Sequence, residues 1–209
     1  MRVAISGSTG LVGNRLVERL REAGHTPIRI TRGGARDGTI SWDPYAGEID
    51  RAALEGLDAV VHLSGENVAG GRWTESRKQA ILDSRVITTR VLCEALAELE
   101  QKPAVLVCAS ANGYYGDTGD TAVDESAPAG DTFLADVCVQ WEAAAEPARA
   151  AGIRVAHLRI GIVLSPEGGA LAQMLTPFRL GLGGVVGSGD QYMSWITLDD
   201  VVGAFLHCI

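Results

Sequence analysis

The chain has 209 residues, a length typical of one domain with a sizeable core. Hydrophobic residues make up 46% and charged residues 21%, which excludes a disordered or fibrous protein, and the low aromatic content of 5% is typical of an α/β core built from Ala, Val, Leu and Ile. With 26 acidic and 18 basic residues the net charge is −8, which repels phosphate backbones and anionic lipid surfaces, so no nucleic acid or membrane partner is expected.

Short apolar strands alternate with helical patterns along the chain. An apolar strand over residues 3–5 stops at Gly7, and apolar residues at helical spacing follow until Gly24. Further strands are predicted at about 26–31, 39–42, 58–63, 104–109, 153–158 and 192–196, and further helices at 74–99, 133–151, 168–180 and 199–209. This alternation predicts an α/β fold with a doubly wound parallel sheet, the Rossmann fold.

A glycine-rich loop joins the first predicted strand to the first predicted helix. Its residues are Gly7, Ser8, Thr9, Gly10, Leu11, Val12 and Gly13. In such a loop the first glycine permits the turn, the second lets the backbone approach a pyrophosphate, and the third lets the helix pack on the strand. The position of the loop therefore predicts a dinucleotide site. A kinase-type phosphate loop is excluded, because neither of the two lysines, Lys78 and Lys102, follows a glycine.

The end of the second predicted strand favours NADP(H) over NAD(H). Residues 28–35 contain no acid that could accept the ribose 2′-hydroxyl. The basic and polar side chains at this point are Thr31, Arg32 and Arg36, and a guanidinium suits a 2′-phosphate, although Arg32 could also be a solvated surface side chain. Asp43 could accept from the adenine amino group, or it could simply form a turn before Pro44.

Several segments together resemble one known family. They are the glycine loop, residues 62–73 (HLSGENVAGGRW), residues 110–116 (SANGYYG), residues 133–135 with Trp141 and Glu142, residues 159–169, and residues 194–196 before Asp199 and Asp200. This set resembles the epimerase-family atypical short-chain dehydrogenases/reductases of the NAD-dependent epimerase/dehydratase superfamily. The resemblance implies an extended Rossmann fold and an NADP-type cofactor, with no established substrate.

The resemblance also implies positions around the cofactor. Leu63, Ser64 and Gly65 would pass beside the dinucleotide, as would Ala109 and Ser110 one strand further on. Arg159, Gly161 and Val163 would border the nicotinamide, and Glu66 with Asn67 would face the cleft.

Domain boundaries follow from the same resemblance, because the family implies a further C-terminal segment. We expect a dinucleotide-binding domain over residues 1–165 and the start of a substrate-binding lobe, interleaved with it, over residues 166–209. Since the sequence also stops within an apolar helical pattern, this expectation describes a truncated chain.

The usual catalytic pair of such enzymes is missing. A tyrosine exchanges a proton with the substrate oxygen, and a lysine four residues later assists it. The tyrosines of this chain, at positions 45, 114, 115 and 192, are followed four residues later by Ile49, Thr118, Gly119 and Ile196. The remaining candidates for proton transfer are Tyr114, Tyr115, Ser110 and Glu66, each of which could equally have a structural role.

Arg85 lies in the apolar stripe of the long predicted helix, where an unpaired guanidinium would be costly to bury. Its partner is either a phosphate or carboxylate of a ligand, or a glutamate such as Glu66. No metal site is expected, because no histidine pair has ligand spacing and the four cysteines contain no Cys-x-x-Cys pair. We expect a reduced, cytoplasmic chain without a signal peptide or spanning helix.

The sequence supports two hypotheses. The first is an NADP(H)-dependent reductase or epimerase-like enzyme acting on an unknown small molecule. In this hypothesis a tyrosine of the 114–115 pair, hydrogen-bonded to Ser110, donates the proton for carbonyl reduction, and Glu66 or Asn67 orients the substrate. The alternative is a catalytically silent NADP(H)-binding sensor that acts through a partner. Both are compatible with a homo-oligomer.

Overall fold

The computed structural model describes residues 1–33, 38–185 and 187–209. The strands are β1 (Arg2–Ser6), β2 (Thr26–Thr31), β3 (Thr39–Asp43), β4 (Glu48–Ile49), β5 (Ala59–His62), β6 (Val105–Ala111), β7 (Arg154–Ile160), β8 (Ile162–Leu164) and β9 (Trp195–Thr197). The helices are α1 (Leu11–Glu22), α2 (Arg51–Leu54), α3 (Glu75–Ala97), α4 (Phe133–Ala143), α5 (Glu146–Ala150), α6 (Gly169–Arg179) and α7 (Leu198–Cys208), with a 3-10 turn at Asn112–Tyr115.

A seven-stranded sheet organises these elements in the order β4-β3-β2-β1-β5-β6-β7. All its neighbouring pairs are parallel except β3 with β4, a short antiparallel strand that the sequence pattern did not predict. The chain order reverses between β1 and β5, and this switch point is where doubly wound folds bind ligands. The prediction of a Rossmann fold is confirmed.

The sheet separates two apolar clusters because its side chains alternate in direction. On β1, Val3 and Ile5 face α1 and α7, whereas Ala4 faces α3. Phe205 of α7 and Leu16 of α1 are fully buried on the first face. These two layers fix the carboxyl ends of β1, β5 and β6 at one edge of the sheet.

One predicted helix, over residues 133–151, is two helices in the structure. The first ends at Ala143 and the second begins at Glu146. Pro147 explains the break, because its ring clashes with the carbonyl group four residues earlier and it has no N–H to donate. A smaller sheet of two parallel strands, β8 and β9, follows the main sheet, and α6 lies between these strands along the chain.

Within the described residues, the helices are all too short or too polar to cross a bilayer.

Candidate functional site

A cleft of about 510 Å³ opens at the carboxyl ends of β1, β2 and β5. It therefore lies over the switch point of the sheet, between the neighbouring strands β1 and β5. Its lining residues are Gly7, Ser8, Thr9, Gly10, Ile30, Thr31, Arg32, Trp42, Pro44, Tyr45, Leu63, Ser64, Gly65, Glu66, Ser84 and Thr88. Most of the cofactor-binding residues that were predicted at the ends of the first two strands therefore line this one cleft.

The glycine loop forms one wall, and its glycines have different roles. Gly7 has φ of 65°, and a Cβ there would lie 2.6 Å from the carbonyl carbon of Leu63. A Cβ on Gly13 would overlap the Gly7 carbonyl oxygen, so α1 packs closely on the turn. Gly10 has room for a Cβ and lines the cleft. Leu11 and Val12 pack in the core behind the loop.

Two side chains that the sequence analysis missed hold this loop from behind. Arg29 of β2 donates to the carbonyl oxygen of Ser8 and, at 3.0 Å, to Oδ1 of Asn14. Asn14 in turn donates to the carbonyl oxygen of Thr9 at 3.0 Å. The carbonyl oxygens of Ser8 and Thr9 are therefore hydrogen-bonded within the protein. The hydroxyl of Ser8 is buried and has no partner among the described residues.

The far end of the cleft, beyond β2, is bounded by Arg32 and three ring-bearing residues, Trp42, Pro44 and Tyr45. Asp43 does not line the cleft, because its Oδ1 accepts from the backbone N–H groups of Tyr45 and Ala46 at 3.1 and 3.2 Å. Asp43 therefore stabilises the turn before Tyr45, which was the alternative to binding the adenine amino group. Arg36 lies outside the described residues.

The segment after β5 forms the opposite wall. The N–H of Glu66 donates to Ser84 at 3.0 Å, and its carbonyl oxygen accepts from Nη2 of Arg85 at 3.0 Å. The carboxylate of Glu66 pairs with Arg77 at 3.1 Å. Arg85 therefore binds the backbone of Glu66, whose carboxylate pairs with Arg77 instead.

His62 lies beneath the cleft and is fully buried. Its Nδ1 is 2.6 Å from the Ser6 hydroxyl and its Nε2 is 3.3 Å from the Thr88 hydroxyl. Burial lowers the pKa of His62 from 6.5 to about 3. The ring is therefore neutral at physiological pH and connects β1, β5 and α3.

A second group of polar side chains lies further along the same edge of the sheet, at the carboxyl ends of β6 and β7. Arg159 forms a two-point contact with Glu142, in which Nε and Nη2 each lie 2.9 Å from a carboxylate oxygen. Its Nη1 donates to the hydroxyl of Tyr115 at 3.0 Å, and its guanidinium stacks 3.4 Å from the ring centroid of Tyr114. Ser110 donates to Glu142 at 2.6 Å.

The ion pair in this group shifts the pKa values of both partners. Burial alone would raise the pKa of Glu142, but hydrogen bonds from Arg159 and Ser110 outweigh it and the pKa lies below its ordinary value. The hydrogen bond to Glu142 raises the pKa of Arg159, and Tyr115 adds to that effect. Both groups are therefore charged at neutral pH.

This arrangement corrects two expectations about the tyrosines. Ser110 was expected to hydrogen-bond to a phenol, but its hydroxyl donates to Glu142. The tyrosines were also expected to lack the ammonium group that a lysine four residues later would supply. Arg159 supplies that cation from β7, a strand far away in sequence.

The other residues expected beside the dinucleotide or near the nicotinamide pack against neighbouring parts of the protein. Ala109 and Val163 pack against the core cluster of α1 and α7. Gly161 lies against Ser194, where a Cβ would be 2.7 Å from the carbonyl oxygen. Gly161, Arg159, Tyr115 and Glu142 all line a second cavity, of about 610 Å³.

Among the described residues, no three His, Cys, Asp or Glu side chains are grouped so that they could hold a metal ion.

Comparison with known proteins places the chain within one family. Residues 3–209 match the NAD dependent epimerase/dehydratase family. An epimerase family protein of Mycobacterium bovis is 49% identical over 99% of this chain and 68% of its own length. The human epimerase family protein SDR39U1 is 37% identical over 100% of this chain and 70% of its own length.

Two solved structures are similar in fold and sequence. A nucleoside-diphosphate sugar epimerase from Corynebacterium glutamicum has a TM-score of 0.87 and 40% identity, and the match covers 100% of this chain and 43% of that chain. Human SDR39U1 (isoform 2), solved with NADPH, has a TM-score of 0.87 and 36% identity over 99% of this chain and 69% of that chain.

Proposed function

Because the chain belongs to the NAD dependent epimerase/dehydratase family, we propose that it is an NADP(H)-dependent oxidoreductase or epimerase acting on a small carbonyl or nucleotide-linked metabolite. We propose that it reduces a carbonyl group, with Tyr115 as the proton donor. The observation that carries the proposal is the 3.0 Å hydrogen bond from Arg159 to the Tyr115 hydroxyl at the carboxyl end of the sheet.

The cleft over the switch point fits a dinucleotide phosphate. The buried hydroxyl of Ser8 has no partner among the described residues and can donate to a phosphate oxygen. Arg29 and Asn14 donate to the carbonyl oxygens of Ser8 and Thr9, which offsets the partial negative charge of these groups near an anion. Gly10 leaves the backbone accessible from the cleft. These residues would hold the pyrophosphate.

The preference for NADP(H) is supported by Arg32 and by one relative. Arg32 is exposed at the end of the cleft where the strand order places the adenosine half of a dinucleotide. Its guanidinium can bind a 2′-phosphate through two parallel hydrogen bonds. The human SDR39U1 structure, which is similar to this chain, was solved with NADPH.

The reaction requires a hydride and a proton. Bound NADPH supplies the hydride, and a phenol can supply the proton to the substrate oxygen. Arg159 donates to the phenol oxygen of Tyr115, so it stabilises the negative charge left there when the proton leaves. A neighbouring lysine has this task in relatives with the usual pair. In this chain the cation comes from β7 and is itself held by Glu142.

A panel of carbonyl compounds tests the proposal, with NADPH oxidation by the full chain as the measurement. We expect Tyr115→Phe to lower kcat by about 100-fold or more, the range lost when a general acid is removed. Tyr114→Phe is the matched control, because it keeps the ring under Arg159, and kcat should change by less than about threefold.

Two results would count against this function. Full turnover by Tyr115→Phe would exclude that hydroxyl as the donor and direct attention to Glu66. NADPH binding without reduction of any compound in the panel would favour the alternative, a catalytically silent sensor that acts through a partner.

A further inference from the structure

The second cavity, of about 610 Å³, shares no lining residue with the cofactor cleft. It is lined by Tyr115, the proposed proton donor, and by the Arg159–Glu142 ion pair beside it. Its volume lies within the range of small-molecule sites. A dinucleotide in a doubly wound fold extends along the carboxyl edge of the sheet, so a substrate in this cavity would lie beyond the nicotinamide. The lining of the cavity therefore bears on which substrate the protein takes.

Arg159 is the only arginine or lysine among the described residues that line this cavity, and its donors are engaged. Nε and Nη2 each lie 2.9 Å from a carboxylate oxygen of Glu142. Nη1 donates to the Tyr115 hydroxyl at 3.0 Å and, weakly, to the Glu125 carbonyl oxygen at 3.5 Å. A phosphate or carboxylate of a ligand would therefore have to break an existing ion pair in order to bind Arg159.

Glu125 gives the cavity an excess of negative charge. Its side chain is exposed, and within the described structure its carboxylate has no hydrogen bond or ion pair. The cavity is thus lined by two carboxylates, of Glu125 and Glu142, and by one guanidinium. These charges repel an anionic ligand, whereas a hydroxyl group of an uncharged ligand can donate to Glu125.

His157 contributes a polar atom that lacks a partner. It lies on β7 two residues before Arg159, and therefore on the same face of the strand, and it lines the cavity. Its Nε2 is buried and has no hydrogen-bond partner among the described residues. Burial lowers the pKa of His157, so the ring is neutral at physiological pH. A hydroxyl group can satisfy this nitrogen in either tautomer of the ring, because it both donates and accepts.

Apolar side chains form another part of the lining. They include Leu158 and Ile160 of β7 and Trp195 of β9. Such side chains suit a ring or a short hydrocarbon body of a ligand. The cavity therefore combines an apolar surface with a few polar groups, and none of its charges attracts an anion without a competing partner.

We propose that the second cavity is the substrate site, that it selects an uncharged carbonyl compound with a hydroxyl group over phosphorylated and carboxylated compounds, and that His157 recognises this hydroxyl group. The proposal rests on the proposed function, because it takes Tyr115 as the proton donor. It narrows the range of substrates, since an anionic group near the carbonyl group would lie beside Glu125 and Glu142.

Three ketones of one framework test this selectivity: acetophenone, 4-(hydroxymethyl)acetophenone and 4-acetylbenzoate. Their binding to the full chain is measured by calorimetry with NADP⁺ present, when no hydride can be transferred, and their reduction is measured as NADPH oxidation. We expect the hydroxymethyl ketone to bind about tenfold more tightly than acetophenone, because it satisfies a buried polar atom. The carboxylate should bind about tenfold more weakly than acetophenone, because its charge would be desolvated beside other carboxylates.

Substitutions at the two recognition residues locate the effect. His157→Leu should remove the preference for the hydroxymethyl ketone, so the ratio of its affinity to that of acetophenone falls by about tenfold. His157→Gln should restore part of this ratio, because an amide can donate and accept. Glu125→Gln should tighten 4-acetylbenzoate by about threefold relative to acetophenone. Asp120→Asn, an exposed position in the same segment that does not line the cavity, is the matched control and should keep all three affinities.

The possible outcomes separate the substrate site from the reaction. An unchanged affinity ratio in folded His157→Leu would overturn the role of His157. Equal affinities for 4-acetylbenzoate and the hydroxymethyl ketone, or binding of none of the three ketones, would overturn the assignment of the cavity. The expected order of affinities without NADPH oxidation would refute the proposed reduction and still support the site. Reduction of all three ketones with equal kcat/KM would support the proposed function and overturn the selectivity.

Discussion

In the proposed function, Arg159 takes the place of the lysine of the usual catalytic pair. A guanidinium has five N–H donors in a fixed plane, so it can bind Glu142 at two points and still donate to a third group. The third group here is the Tyr115 hydroxyl, and the flat face of the guanidinium stacks on Tyr114. A lysine at this position would have no plane to stack and no second contact to fix it.

Arg32 is the residue on which cofactor preference depends in our proposal. We expect Arg32→Asp to reverse the preference from NADP(H) to NAD(H), because the carboxylate repels a 2′-phosphate and can accept from a 2′-hydroxyl. A hydrogen-bonded ion pair with the phosphate contributes about 1.5 to 3 kcal/mol, so NADP(H) affinity should fall by about tenfold or more.

Parallel calorimetric titrations with the two cofactors measure this change. Arg21→Asp, an exposed position on α1 away from the cleft, changes the net charge equally and should leave the ratio of affinities as it is. Equal affinities for the two cofactors in the unmodified chain would show that Arg32 does not read the 2′-phosphate.

At the scale of one element, the turn between β1 and α1 contains two glycines that packing requires and one that lines the cleft. Gly7 and Gly13 are required by packing, because a Cβ at either position would overlap backbone atoms. Gly10 has φ of −76° and only an ordinary contact, 3.4 Å from the Gly7 carbonyl oxygen. Of the three glycines, only Gly10 can therefore accept a side chain without disturbing the turn.

We expect Gly10→Val to remove dinucleotide binding while the protein remains folded, because the side chain would occupy the approach to the loop backbone. Gly13→Val should instead lower the thermal midpoint strongly, since α1 could no longer pack on the turn. Calorimetry and thermal unfolding of the two variants, measured together, check the contrast. Unaltered binding by Gly10→Val would refute the assignment of this loop.

At the scale of the whole molecule, His62 links the centre of the sheet to α3 beneath the cleft. The unfolded chain takes up its proton near pH 6.5, whereas the folded protein does so only near pH 3, because burial lowers the pKa to about 3. Between these values the unfolded state binds more protons, so the free energy of unfolding decreases as the pH falls. The contribution of His62 is lost across this window and is fully present above it.

We therefore expect His62→Asn to reduce the pH dependence of unfolding between pH 6 and pH 4 by up to about 1.4 kcal/mol per pH unit, the equivalent of one proton. Urea titrations at several pH values measure the slope. His207→Asn, an exposed histidine near the end of α7, is the control and should keep the original slope. An unchanged slope in His62→Asn would mean that this ring is not the group responsible.

The sequence alone was sufficient for the fold and for the position of the glycine loop between β1 and α1, because both depend on local signals. Apolar runs of strand length, helical spacing and the glycines at positions 7, 10 and 13 are readable within short windows, and the observed sheet follows them. The break before Pro147 and the short antiparallel strand β4 were missed, since a helical pattern of small residues hides the first and a two-residue strand has no periodicity.

The tertiary structure decided the contacts that give the polar side chains their roles. Arg159 is 44 residues from Tyr115 and 17 residues from Glu142, and only the pairing of β7 with β6 brings them together. Arg85 likewise reaches a carbonyl group 19 residues away, which no residue pattern encodes. Parallel strands distant in sequence end at the same edge of a sheet, and for this reason the partners of charged side chains there are set by strand order and not by sequence spacing.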